Sequence, residues 1–171
     1  MTDTIPSRLI VMGVTGCGKT TVGALLAGRL DAMFLDGDDY HPPENVAKMR
    51  AGTPLTDQDR WPWLDRLGAV IEQTITDRQR VVLACSALRR VYRDRIAAAC
   101  AEPPLFIHLT GSRDLIHARM AARREHYMPT ALLDSQIATL EPLEPDENAI
   151  AVGIDALAGM IVQGVLKQLD R

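Results

Sequence analysis

Two stretches hold residues whose types and spacing can do chemistry. The first, GVTGCGKT from Gly13 to Thr20, fits G-x-x-x-x-G-K-[ST], with Gly13, Gly18, Lys19 and Thr20 at the fixed positions. It follows an apolar run and opens a helical pattern, the context in which this pattern cradles phosphate. Glycines let the backbone curl, so that the N–H groups of Val14, Thr15, Gly16, Cys17, Gly18 and their neighbours turn inward toward phosphate oxygens. The new helix, starting near Lys19, Thr20 and Thr21, adds the positive end of its dipole. Lys19 is placed to reach the β- and γ-phosphates of ATP, and the Thr20 hydroxyl to coordinate Mg²⁺. Cys17 sits near this helix start, a setting that lowers a thiol's pKa; it is read as a small residue that fits the loop, with a redox-sensitive thiol as the alternative.

The second stretch, DGDDYH at 36–41, places three carboxylates close to that anion site. A strand beside the first would bring them there. Asp36 can then hold Mg²⁺ through water, because Mg²⁺ keeps several waters and takes few carboxylates. If the strand persists, Asp38 shares the orientation of Asp36 and can accept a hydrogen bond, or a proton, from a substrate hydroxyl. Asp39 suits a cap of the next helix.

Bases follow. Lys48, Arg50 and Arg60 lie downstream, and CSALRRVYRD adds Arg89, Arg90, Arg93 and Arg95. Carboxylates take hydroxyl hydrogen bonds while arginine clamps a carboxylate in bidentate fashion, so this mixture suits a polyol that is also an acid. Of the second group, the arginines nearest the strand end face the cleft and the others decorate a helix. Arg119 and Arg123, spaced i,i+4, share a helical face and precede REHYMP, a polar segment of lid-like composition. Arginines that close over ATP exclude water and neutralise the transferring phosphoryl group. His41 and His126 lack the spacing of a metal pair, His108 is read as a core residue and His117 as an exposed or half-buried one.

Strands and helices must alternate to position these groups. RLIVMG, AMFLD, RVVLACS, PLFIHLT and AIAVGI read as strands, mostly continuous apolar runs of the kind buried on both faces. Between them lie helical patterns: KTTVGALLAGRL, PENVAKMRAG, LTDQDRWPWLDRLGAVIEQTI, RRVYRDRIAAAC and SRDLIHARMAARR, the last capped by Ser112. A short helix within TALLDSQIATLEPLE and a final one, DALAGMIVQGVLKQL, complete the set. In the long third helix Thr56 and Asp59 form a capping box, Trp61, Leu64, Leu67 and Ile71 make one face, and Pro62 falls in the first turn. The alternation predicts a three-layer α/β domain around a parallel sheet, with ligands beyond the carboxyl ends of the strands.

The 171 residues suit a single domain, 1–171. A net charge of −3 argues against a broad nucleic-acid-binding face. No apolar stretch approaches the roughly 18 residues of a membrane span, and the start of the chain has no basic leader. Three cysteines, Cys17, Cys85 and Cys100, favour free thiols in a reducing, cytoplasmic setting.

GVTGCGKTTVG, FLDGDDYHPPENVAKMRAGTPLTDQDRWPWL, CSALRRVYRD and HYMPTALLDSQIATLEPLE together resemble the gluconokinase family, over about Leu9 to Glu144. The block from Asp36 to Trp63 is far more specific than the phosphate loop. The resemblance implies an adenylate-kinase-like P-loop fold with a five-stranded parallel sheet in the order 2-3-1-4-5. It implies ATP- and Mg²⁺-dependent phosphorylation of D-gluconate at the 6-hydroxyl, commonly by a homodimer. By position, Asp38, His41, Lys48, Arg50, Arg60 and Arg89 would line the gluconate side. Arg119 and Arg123 would be lid arginines in a mobile segment at about 120–135, with Arg119 placed to stack on adenine, and Lys19, Asp38 and Arg123 would act in transfer. Cys17 stands where serine is common, Arg89 where lysine is frequent and Tyr127 where phenylalanine is common. Two rivals remain: a same-fold kinase for another hydroxy acid, and a nucleotide-sensing module that transfers nothing. Asp38 is open between base and orienting acceptor.

Overall fold

The computed structural model describes residues 5–76, 80–123 and 130–171. Five parallel strands, β1 (Arg8–Met12), β2 (Ala32–Asp36), β3 (Arg80–Ala84), β4 (Leu105–Thr110) and β5 (Ala149–Gly153), form one sheet in the order β2-β3-β1-β4-β5. The central register pairs Ile10 with Leu83 on one side and Val11 with Ile107 on the other.

Side chains alternate across a strand, and β1 divides its own between two cores. Leu9 and Val11 join Val22, Leu26, Ile107, Ile161 and Val165 on the face covered by α1 (Lys19–Arg29) and α7 (Ala158–Leu169). Ile10 and Met12 join Leu64, Leu67, Ile71, Leu83 and Ile96 on the face covered by α3 (Asp57–Ile75) and α4 (Arg90–Ala98). The remaining helices, α2 (Pro43–Arg50), α5 (Arg113–Ala122) and α6 (Thr130–Thr139), cluster with the loops that leave the carboxyl edge.

The capping box of α3 is complete: Thr56 Oγ1 accepts the Asp59 N–H at 3.2 Å, and Asp59 Oδ2 accepts the Thr56 N–H at 2.8 Å. Two details differ from the sequence reading. Trp63, 4% exposed, completes the buried stripe and Trp61 does not, because at about 100° per residue Trp63 lies nearer the direction shared by Leu64, Leu67 and Ile71. Pro62 lies in the second turn, since the helix starts at Asp57; its missing N–H deprives the Gln58 carbonyl of an in-helix donor.

Candidate active site

β1 runs into the phosphate loop and α1 emerges from it. Gly16 holds φ at +80°, and a Cβ there would lie 2.5 Å from Met120 Cγ on α5, so only glycine fits. Gly18 caps α1 with no side-chain hydrogen bond to the first turn, which leaves those N–H groups to a ligand anion. Two protein groups now use the loop. Lys19 Nζ donates to the Val14 carbonyl at 3.0 Å, and the Thr15 N–H donates to Gln136 Oε1 at 2.6 Å. Cys17 is buried in the core, and burial raises its pKa, with Lys19 opposing. The lowering expected at a helix start is therefore outweighed by desolvation.

The acids arrive by a route the sequence reading did not foresee. β3 separates β2 from β1; α1 bridges the gap, lying on β2 through Gly23 against the Phe34 ring. Thr20 Oγ1 thereby comes within 3.4 Å of Asp36 Oδ2. Two hard oxygen donors side by side at the edge of a phosphate cradle fit Mg²⁺. The strand does not persist to Asp38. Asp36 Oδ1 takes the Asp38 N–H at 3.0 Å and caps a 3₁₀ turn over Gly37–Tyr40, so Asp38 leaves in another direction. The Asp38 side chain is 85% solvent-accessible, yet its pKa is raised, first by desolvation among the cleft walls and then by Asp36 and Asp39, against Lys19. Water still reaches most of this side chain and opposes that rise.

Behind this turn the structure is tightly held. Trp63 Nε1 donates to the Gly37 carbonyl at 2.8 Å, and the His41 ring stacks on Trp63 with centroids 4.0 Å apart. Burial, then the charge of Arg60, lowers His41 to about 4, so the ring is neutral at physiological pH.

The expected bases divide. Arg60 and Arg89 line a cleft of about 450 Å³ with Tyr92, Leu55, Ser135 and Thr139. Arg89 Nη1 donates to Asp57 Oδ2 at 2.8 Å and its Nε to Glu141 Oε1 at 3.2 Å. Arg60 Nη1 donates to the Leu55 carbonyl at 2.6 Å, and both guanidiniums lie over the Tyr92 ring. Asp57 is held below the usual carboxylate range, first by the Tyr92 hydroxyl at 2.5 Å and then by Arg89. Lys48 is outside this group: its Nζ donates to Asp59 Oδ2 at 2.7 Å, tying α2 to the capping box and lowering Asp59 to about 2. Arg50 is exposed on the last turn of α2.

The arginines expected to decorate α4 are largely structural. Arg93 is fully buried, paired with Glu147 at 2.6 Å and donating to the Ala87 carbonyl. Arg90 pairs with Glu144 and Asp146. Arg95, more exposed, pairs with Asp65. Glu141 accepts the Arg90 N–H at 2.7 Å and so orders the start of α4 as well as Arg89.

α5 ends at Ala122, and Arg123, its C-cap, turns the chain out of the helix at φ −80°, ψ 109°. Arg119 donates to the Ile154 carbonyl at 2.5 Å, fastening α5 to the loop after β5. REHYMP (124–129), with His126 and Tyr127, lies outside the described residues. Gln136, Asn45, Asp57, Tyr92 and Glu141 carry no role in the sequence reading. The only signal was their place inside the blocks that resemble a family.

A glycine-turned loop entering α1 at the carboxyl edge of a 2-3-1-4-5 parallel sheet, beside a Thr–Asp oxygen pair, defines a P-loop nucleotide-binding kinase. A family model described as an AAA domain matches residues 9–143. The chain is 41% identical over 165 residues to the gluconokinase of Gluconobacter oxydans, covering 96% of this chain and 92% of that protein. It is 43% identical over 141 residues to the thermosensitive gluconokinase of Escherichia coli, covering 82% and 75%. The crystal structure of a gluconokinase from Sinorhizobium meliloti 1021 superposes with a TM-score of 0.86 at 41% identity, covering 96% and 92%. The chain belongs to the gluconokinase family.

Proposed function

We propose that the protein transfers the γ-phosphoryl group of ATP to the 6-hydroxyl of D-gluconate, giving 6-phospho-D-gluconate and ADP. The observation that carries this reading is the polarity of the site. A phosphate cradle and an acid pair stand at one end, and a cleft with Arg60 and Arg89 stands at the other. α6 spans the two, with Gln136 at the loop and Ser135 and Thr139 in the cleft.

The arginines take the gluconate carboxylate, which directs the far hydroxyl toward the loop. Lys19 leaves the Val14 carbonyl for the β- and γ-phosphates, and the α1 N–H groups stabilise the charge that spreads during transfer. Asp38 accepts the hydroxyl proton as the new O–P bond forms and the bond to the departing ADP breaks. Thr20 and Asp36 would hold Mg²⁺, which supplies charge neutralisation across the phosphates. Arg123 leads into the segment proposed to close over the nucleotide, and Arg119, with its guanidinium fixed, presents a flat face to adenine. Lys48 and Arg50 approach the substrate only if α2 moves with closure. The reading extends to a homodimer in a reducing, cytoplasmic setting, supported for the setting by three free thiols.

The test is an acceptor panel with coupled ADP detection: D-gluconate, shorter and cyclic hydroxy acids, and a neutral hexitol. Gluconate should lead by at least tenfold in kcat/KM, about the worth of one charge-assisted pair. Equal turnover of the hexitol, or preference for another acid, would overturn the pocket assignment.

A further inference from the structure

Asn45 is 3% exposed and sits on α2, directly behind the catalytic turn. Its Nδ2 lies 2.8 Å from the Asp59 backbone oxygen. A carbonyl only accepts, so the amide nitrogen, and not its oxygen, must occupy that place. The same Nδ2 lies 3.4 Å from His41 Nδ1. With one hydrogen directed to Asp59, the other faces the ring nitrogen, which must then be the bare acceptor. The imidazole proton is left on Nε2. That nitrogen faces the catalytic turn, 3.9 Å from Asp38 Oδ1.

We propose that Asn45 fixes His41 in the Nε2–H form, and that this N–H donates to Asp38 and aims its free oxygen at the acceptor hydroxyl. Rotation of the exposed Asp38 side chain closes the remaining gap as the cleft fills. The ring itself has no such freedom: its side chain is 4% exposed and it is stacked on Trp63, which in turn holds the Gly37 carbonyl. Its neutrality, set by burial and by Arg60, keeps Nδ1 free to accept. His41 and Asn45 are thus positioning residues, acting through Asp38; the role at Asp38 rests on the phosphoryl-transfer reading, whereas the tautomer does not.

Two measurements on the full chain separate these layers. Nitrogen NMR of the ¹⁵N-labelled protein, with His41 assigned by loss in His41→Phe, should show Nε2 protonated and Nδ1 bare, and Asn45→Ala should mix the two forms. A protonated Nδ1 in the wild type would overturn the arrangement, whatever the enzyme's substrate. In kinetics, His41→Phe keeps a ring on Trp63 but removes the donor. Its kcat should fall about tenfold with the KM for ATP unchanged, and His41→Gln, which restores an N–H near the same place, should recover part of the loss. Wild-type kcat in His41→Phe, or no recovery in His41→Gln, would overturn the positioning role. A wild-type enzyme silent with gluconate would instead defeat the function, and the NMR result would still decide the tautomer.

Discussion

The two ends of the site are built in opposite ways. The phosphate end is made from eight consecutive residues, and its donors are backbone N–H groups presented by one turn and one helix start. The acceptor end is made from side chains of α3, α4, α6 and their loops, and most of its charges are already paired with one another. A cradle of backbone tolerates little except glycine where it crowds α5, but it needs no long-range partner to be correct. A cleft of paired charges depends on every segment that supplies a partner, so distant residues such as Glu141 set its shape. Damage should therefore act on kcat at one end and on acceptor KM at the other.

The largest break should come from Lys19→Ala. It removes the one cation in the cradle itself, and kcat should fall by about a thousandfold with gluconate binding retained in calorimetry. Asp38→Asn keeps an acceptor oxygen but abolishes the proton acceptor. A loss of about a hundredfold in kcat marks a base, while near-wild-type turnover reduces Asp38 to an orienting group. Arg89→Ala should raise the KM for gluconate by about tenfold, the worth of a charge-assisted hydrogen bond, and leave the KM for ATP untouched. An equal change in both would erase the distinction between the two ends.

This division also explains what could be read from the chain. The cradle, the five strands and the capping box were legible because each follows from local pattern or local spacing, whereas the Thr20–Asp36 pair is brought together across β3 by α1. Asp38's direction was not legible, because Asp36 spends one carboxylate oxygen on ending its own strand. Lys48 read as a base of the pocket and Arg93 as a cleft-facing or helix-surface arginine, but partners 11 and 54 residues away hold them. His41 lies only four residues from Asn45, but nothing nearby reveals that the Asp59 carbonyl shares the same amide. Helical spacing put Arg119 and Arg123 one turn apart, but not the end of α5 at Ala122, which makes Arg123 its C-cap.

Smaller effects sharpen the comparison. Gln136 occupies a loop N–H that phosphate would need, so Gln136→Ala should tighten ATP by about fivefold, one net hydrogen bond; weaker binding would make Gln136 a phosphate ligand instead. The smallest signal is in stability. His41 is lowered from its ordinary value of 6.5 to about 4, so between those values the unfolded chain binds a proton that the folded one refuses. Stability should fall as pH drops from 6.5 to 4. His41→Phe should show a shallower Tm slope over that window, and an unchanged slope would place the pH dependence elsewhere.

The measurement that bears most directly on the whole account is ³¹P NMR of the reaction of purified protein, ATP, Mg²⁺ and D-gluconate. The account predicts ADP and, in equal amount, a phosphomonoester coupled to the C6 protons of gluconate. ADP without the ester, an ester at another carbon, or no change in ATP despite binding would contradict it.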